Sequence, residues 1–381
     1  MNFKQIKKIL FSDYARIFFK IIIIFILLDL IFSNLIIKNY VKKNCIKYIR
    51  YALKEKTYHS YELEKNCKAY ETQRTAKTYD VLTDENGYRI STKKIVDRKK
   101  KDNAIVVLGD SYSYGYGLNY EVTTVGLLEN KNNNYEFFNL SVPGYSPVIL
   151  KYKLQQLLQS GIKPKKIIYL MDYTDVYEEA NAWIQMKEFE YPVISDKKRY
   201  EEVKKNYNFK NNFKISRLLI YNLNKSIRNI KKDINKKKFE ADDKIIGSTS
   251  WASFTYKPYE ELDKKFWSKN NFKVGINNIK TNIKEISEMA NMINSEFYIV
   301  IYPWPETLEY GEKFFSWQKF GSELCQFTNC TKLINAFPKF NKIKNQFSYW
   351  KKEIYILQDL HLNENGHRLL AEIIHRNAFE Q

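Results

Sequence analysis

Three residue types at two distant points of the 381-residue chain could together move an acyl group. Ser111 lies in Gly109-Asp110-Ser111, directly after the apolar run Ala104-Ile105-Val106-Val107-Leu108. Towards the other end, His361 follows Asp359 by two positions. Attack on an ester carbonyl needs a nucleophile, a base to take its proton, and donors for the oxyanion that forms. Ser111 offers the nucleophile. The chain has only four histidines. Of these, His361 precedes an expected C-terminal helix over 364–375, whereas His367 and His375 fall on that helix and read as packing or surface residues. Asp359 is placed to hold the imidazole in one tautomer, as the third member of a triad must. The isolated His59 is assigned no role.

The elements that must position these groups are legible as an α/β alternation. The run 104–108 reads as a buried strand of a parallel sheet. A serine at its carboxyl end, where the chain turns towards a helix, sits at the edge where open α/β folds collect their sites. Unpaired backbone N–H groups at a helix N-terminus can receive developing negative charge there. A helix is expected around 121–130, a strand at 137–140, a helix over 147–160 with Pro147 in its first turn, and a strand at 166–171. Ile276, Ile279, Ile283, Ile286, Ala290 and Ile293 recur at helical spacing and mark one buried stripe. A strand follows at 297–302, ending at Pro303-Trp304-Pro305, with a last short strand near 332–334 or 354–357. Such an alternation predicts a flavodoxin-like, doubly wound, mainly parallel sheet.

Two stretches interrupt that rhythm. Residues 39–103 read as a linker and edge segment, carrying Tyr58-His59-Ser60-Tyr61 and then Thr83-Asp84-Glu85-Asn86-Gly87-Tyr88. The Asn-Gly step signals a turn, and a hairpin or edge strand against the main sheet is expected. Residues 176–273 form an insertion, dense in Lys and Asn over 197–238, in which Ile215, Leu218, Leu219, Leu223, Ile227 and Ile230 would build one amphipathic helix. A solvated cap beside the active site and a lid that grips a polymer are the two readings of it. Asp172, Asp175, Glu178 and Glu179, after the third strand, are more simply helix caps or solvated groups than a cation site. No metal and no cofactor are needed for the chemistry.

With Gly109-Asp110-Ser111 after the first strand and Asp359-Leu360-His361-Leu362-Asn363-Glu364-Asn365-Gly366-His367 near the end, the sequence resembles the SGNH (GDSL-type) hydrolase superfamily. It looks most like the membrane-anchored, extracytoplasmic branch related to alginate-type O-acetyltransferases. The likeness covers 104–175 and 296–376. It implies Ser111, His361 and Asp359 as catalytic residues, with an acylated carbohydrate or small ester as substrate. It further implies an oxyanion hole built from Ser111 N–H, the backbone N–H of Gly144, and a side chain after the third strand. That third donor is usually an Asn in a Gly-x-Asn-Asp block; here Met171-Asp172-Tyr173-Thr174-Asp175 puts Thr174 in its place. The commoner Asp-x-x-His spacing would put the acid at Gln358, and the Asp-x-His spacing found instead is that of the acetyltransferase-like branch. Hydrolysis and transfer differ only in whether water or a sugar hydroxyl attacks the acyl-serine. A polysaccharide-binding scaffold that kept the fold, or a subunit partnered with a membrane acyltransferase, are the alternatives.

Composition bounds the setting. At 44% hydrophobic and 16% aromatic residues, the chain can pack an interior, which argues against wholesale disorder. The net charge of +20 reflects either a Lys/Asn-rich composition throughout or attraction to anionic lipid or acidic polysaccharide. Nucleic acid is not expected as a partner, because no zinc, helix-turn-helix or RNA-binding signature accompanies the charge. Residues 17–37 have the length of one membrane crossing. Asp29 at its centre costs about 2.5–3.5 kcal/mol, which the surrounding Ile, Leu and Phe outweigh. No small-residue cleavage site follows, so residues 1–38 are expected to be a cytoplasmic tail and uncleaved anchor in the inner membrane. An amphipathic surface helix is the alternative. Basic residues flank the stretch on both sides and do not set its orientation; a periplasmic main domain, 104–381, is what the resemblance implies. Four cysteines, Cys45, Cys67, Cys325 and Cys330, make no Cys-x-x-Cys pair. Cys325 and Cys330 are close enough for a local disulfide, with four free buried thiols as the other reading.

Overall fold

The computed structural model describes residues 13–32, 44–53, 56–72, 78–91, 103–185, 191–194, 251–264, 267, 269–357 and 359–380. Two compact units divide the chain: Met1–Lys42 with Lys198–Asp242, and Lys43–Lys197 with Asp243–Gln381. In the first, one helix is described, Asp13–Ile31, with Ile21, Ile24 and Leu27 among its exposed apolar side chains. Among the described residues no helix is long and apolar enough to cross a membrane. The expected crossing at 17–37 extends past this helix, and 33–37 lie outside the described residues, as does the amphipathic helix expected between Ile215 and Ile230.

Among the described residues, all twelve strands lie in the second unit. β1 (Ile46–Leu53), β2 (Lys56–Leu63), β3 (Lys68–Thr72), β4 (Thr78–Thr83) and β5 (Arg89–Ile90) come first, then β6 (Ala104–Leu108), β7 (Glu136–Asn139) and β8 (Lys166–Met171). β9 (Trp183–Ile184), β10 (Val193–Ile194), β11 (Glu296–Ile301) and β12 (Lys332–Asn335) complete the set. The central sheet is five-stranded, in the order β12-β11-β8-β6-β7, and every neighbouring pair is parallel. Counted among themselves these strands run 2-1-3-4-5, the flavodoxin-like order, so the expected doubly wound sheet is present. β6 and β8 are buried along their whole length because helices cover both faces, which is why β6, and β8 from Ile167 on, read as apolar runs. The helix Pro147–Gln159 packs on Lys269–Met292, and Thr124–Lys131 packs on Glu364–Ala378. Right-handed crossovers put these two pairs on opposite faces. The direction of winding reverses between β6 and β8, and the crevice at their carboxyl ends is where such a fold binds ligands.

The segment read as a linker is more highly organised than that. β1 and β2 pair antiparallel from Ile46↔Leu63 to Leu53↔Lys56, and join β10 and β9 in a four-stranded sheet. β3, β4 and β5 form a separate three-stranded antiparallel sheet, with Thr83↔Arg89 closing the Asn-Gly turn. The expected hairpin therefore exists, but in its own sheet and not on the edge of the parallel one. Disulfides join Cys45 to Cys67 and Cys325 to Cys330. Of the two places suggested for a last strand, 332–334 falls within β12. At 354–357 the helix Trp350–Ile354 ends, and a single antiparallel bridge joins Tyr355 to Leu362.

Candidate active site

β6 ends at Leu108, and Gly109 turns the chain at φ 158°. A Cβ there would fall 2.2 Å from Ser113 Oγ and 3.2 Å from the Leu170 carbonyl oxygen, so glycine alone fits between β8 and the turn. Asp110 then caps the short helix Ser111–Tyr114, its Oδ1 accepting the Tyr112 N–H at 3.1 Å. This places Ser111 at the carboxyl edge of the sheet, beside the switch point.

His361 arrives from the far end of the chain. Its Nε2 stands 2.9 Å from Ser111 Oγ across 250 positions, and its Nδ1 stands 2.6 Å from Asp359 Oδ1. Asp359 Oδ1 also accepts the His361 backbone N–H at 3.1 Å, so two residues of loop fold back into one rigid unit. An anionic Asp359 favours the tautomer with the proton on Nδ1, which leaves Nε2 to accept the serine proton. The ring lies between Tyr112 and Tyr116, at centroid distances of 5.3 and 4.8 Å. The Tyr112 hydroxyl donates to the Leu360 carbonyl, tying the serine-bearing helix to the histidine loop. Behind them, Asn363 caps the helix Glu364–Ala378 through a hydrogen bond from Gly366 N–H at 3.0 Å.

His367, expected to be a packing residue, is buried on that helix, and its Nδ1 accepts the Thr124 N–H at 3.0 Å. Burial, then the nearby His361 and Arg89, push its pKa down to about 3. His375 is half-buried near Glu380, and His59 is buried on β2.

The oxyanion donors inferred from the resemblance fare differently. Gly144 has φ 79° and sits in a turn closed by Tyr145 N–H donating to the Val142 carbonyl at 3.0 Å. With Pro143 and Gly144 at its centre, this is the type II arrangement. Among the described residues the Gly144 N–H donates to nothing, so it can take a ligand oxygen. Asn139 ties this loop to the serine helix: its Nδ2 donates to the Ser113 carbonyl, and its Oδ1 accepts from Ser141 N–H, both at 3.1 Å.

Thr174 lies next to Ser111, but its hydroxyl is directed at carboxylates. It meets Asp172 Oδ1 at 2.8 Å and Asp110 Oδ2 at 3.3 Å, the oxygen that Ser111 Oγ also approaches at 3.1 Å. A hydroxyl has one proton to give, and the shorter bond commits it to Asp172. As placed, Thr174 does not stand in for the asparagine amide.

Asp172 is the hub that sequence reasoning missed. Its Oδ1 accepts Thr174 N–H at 2.9 Å as well as the Thr174 hydroxyl, and its Oδ2 accepts Tyr302 Oη–H at 2.7 Å and Trp304 Nε1–H at 3.0 Å. Four donors hold one buried carboxylate and join the ends of β8 and β11. Burial first, and then the charge of Asp172, raise Asp110 and Asp175 well above the usual carboxylate range. Asp175 accepts from Tyr169 Oη–H at 2.5 Å and from Asp172 N–H at 3.0 Å. Glu179 accepts from Ser146 Oγ–H and Val148 N–H, each at 2.7 Å, at the start of the helix Pro147–Gln159. These carboxylates are thus spent on protein donors. The one signal pointing to the hub was position, since Asp172 and Trp304 each follow a strand of the sheet.

The structure defines an α/β protein of flavodoxin-like order with a serine, a histidine and an aspartate converging at its switch point. By sequence, residues 14–241 match the model of a family described as a protein of unknown function (DUF1574), and the chain belongs to that family. No curated protein matches the chain. Among solved structures, it is similar to TesA (11% identity, 73% of this chain and 98% of that one, TM-score 0.40). It is also similar to the psychrotrophic esterase EstA from Pseudoalteromonas sp. (15% identity, 72% and 95% covered, TM-score 0.37). A third is Axe2, an acetylxylan esterase from Geobacillus stearothermophilus (10% identity, 72% and 93% covered, TM-score 0.39).

Proposed function

We propose that this protein is a serine esterase or O-acyltransferase of the SGNH type, working through an acyl-Ser111 intermediate on O-acylated carbohydrate of the cell envelope. One observation carries the reading: Ser111 Oγ lies 2.9 Å from an imidazole nitrogen whose ring partner is held by a carboxylate. Ser111 Oγ bonds to the ester carbonyl carbon while its proton passes to His361 Nε2. The tetrahedral oxyanion is received by the Ser111 and Gly144 N–H groups. Collapse breaks the carbonyl–alkoxy bond, and the alcohol leaves with the proton from His361. Water or a sugar hydroxyl then repeats the sequence on the acyl-serine. Asp359 stabilises the transient imidazolium and takes no proton.

Two disulfides that use all four cysteines support an extracytoplasmic site of action. Exposed apolar side chains along Asp13–Ile31 support an anchor in the inner membrane, as does the apolar sequence that runs on to residue 37. The test is hydrolysis of p-nitrophenyl acetate by the full-length chain beside Ser111→Ala. Nitrophenolate release is expected to vanish in the variant; equal rates would remove the catalytic reading.

A second reading, a polysaccharide-binding scaffold of the same fold, is favoured by the Thr174 hydroxyl, which faces Asp172 where a third oxyanion donor would serve catalysis. It predicts saturable glycan binding that survives Ser111→Ala and His361→Ala, and no labelling by a serine-directed fluorophosphonate.

A further inference from the structure

The segment Tyr58-His59-Ser60-Tyr61, on β2, reaches the site by an unexpected route. The Tyr61 hydroxyl donates to the Pro143 carbonyl at 2.9 Å. That carbonyl and the Gly144 N–H belong to one peptide unit, and in a trans peptide the two point in opposite directions. This unit is the central peptide of the type II turn. Type I and type II turns differ by a flip of that peptide, and glycine at the third position lets it flip at little steric cost. Whatever holds the carbonyl therefore decides where the N–H points. A hydrogen bond at the carbonyl also polarises the N–H across the amide.

Resting on the esterase reading, we propose that Tyr61 is a positioning residue for the oxyanion hole: its hydroxyl locks the Pro143–Gly144 peptide with the Gly144 N–H presented to the substrate. The fit around it is reciprocal. Tyr145 Oη–H donates back to the Tyr61 carbonyl at 2.8 Å, and Trp183 Nε1–H holds the next carbonyl, that of Gly144, at 2.8 Å. The rings of Tyr145 and Trp183 stand 5.6 and 5.2 Å from that of Tyr61. The β1–β2 hairpin, outside the parallel sheet, thereby supplies a part of the catalytic apparatus that the α/β core lacks.

The test is Tyr61→Phe in the full-length chain, which keeps the ring contacts and removes one oxygen. On p-nitrophenyl acetate, kcat is expected to fall on the order of tenfold to a hundredfold with KM unchanged. Pro143-Gly144 is the only Pro-Gly step in the sequence, so carbonyl-13C proline with 15N glycine labels a single amide correlation. That peak is expected to move upfield in Tyr61→Phe as the polarising bond is lost. Trp183→Phe, which releases the neighbouring peptide, should leave the peak in place and cost less in kcat. A wild-type kcat, an unmoved peak, or an equal cost from Trp183→Phe would each overturn the proposal. Ser111→Ala hydrolysing as fast as wild type would instead overturn the esterase reading, while the amide peak would still report whether Tyr61 holds the turn.

Discussion

His361 Nδ1 lies 2.6 Å from Asp359 Oδ1, and the same oxygen accepts the His361 backbone N–H. Ring and main chain are thus anchored to one atom, which leaves the imidazole a single orientation towards Ser111. Asp359→Asn keeps the shape but replaces a charged acceptor with an amide that favours the wrong tautomer. A fall in kcat of about three to four orders of magnitude is expected, with KM and the urea midpoint little changed. Steady-state kinetics on p-nitrophenyl acetate measure it, and a loss below tenfold would contradict the assigned role.

Thr174 yields a prediction in the opposite sense. Because its proton goes to Asp172, Thr174→Val removes no oxyanion donor. The kcat should then fall much less than the hundredfold or more that loss of a true donor costs. A hundredfold loss would show that the hydroxyl turns to the substrate during the reaction.

Arg89 is buried in full, and its guanidinium donates to four carbonyls: Tyr114, Gly115 at 2.9 Å, Leu118 at 2.5 Å and Asp80 at 3.3 Å. Tyr79, Tyr114 and Tyr120 surround it at 4.5–6.0 Å from their ring centroids. Three of those carbonyls belong to the chain that leaves the serine helix. Arg89→Met strands them without donors and should cost roughly 3 kcal/mol or more in urea unfolding. Arg89→Lys, a point charge without the fork, should recover only part of it.

His367 makes stability depend on pH. With its folded pKa near 3 against an ordinary 6.5, the unfolded chain binds a proton in that window and the folded one does not. Stability therefore falls as pH drops from 6.5 towards 3, by up to about 1.4 kcal/mol per unit. His367→Gln keeps an acceptor for Thr124 N–H and removes the titration. Its unfolding free energy, relative to wild type, should gain about 2 kcal/mol between pH 7.5 and 5. A constant gap across that range would contradict the assignment.

How much of this was legible depends on which force shaped each element. β6 and β8 are covered on both faces, so burial wrote β6, and β8 from Ile167 on, as apolar runs. The helix Lys269–Met292 has one buried side and carries the Ile279, Ile283 and Ile286 stripe. Ser111, His361 and Asp359 were visible because few residue types can do their chemistry. The β4–β5 hairpin was legible through its Asn-Gly turn, but β1 to β3 were not, since Lys and Tyr interrupt any clean apolar alternation. A fully buried Arg89 has no sequence signal, arginine being almost always exposed unless paired. The pairing of Cys45 with Cys67 does not follow from a count of four. The direction of the Thr174 hydroxyl depends on Asp172, whose other oxygen is held by Tyr302 and Trp304, just past a strand more than a hundred residues later.

The distance along the chain between Ser111 and its imidazole has a consequence for synthesis. On a translating ribosome the serine emerges 250 codons before His361. Through all of that interval the nascent polypeptide carries a hydroxyl with no base to activate it. On the proposed mechanism, reactivity awaits the docking of the histidine loop, which precedes Glu364–Ala378, against the serine helix, so an unfinished or prematurely stopped chain would be chemically silent.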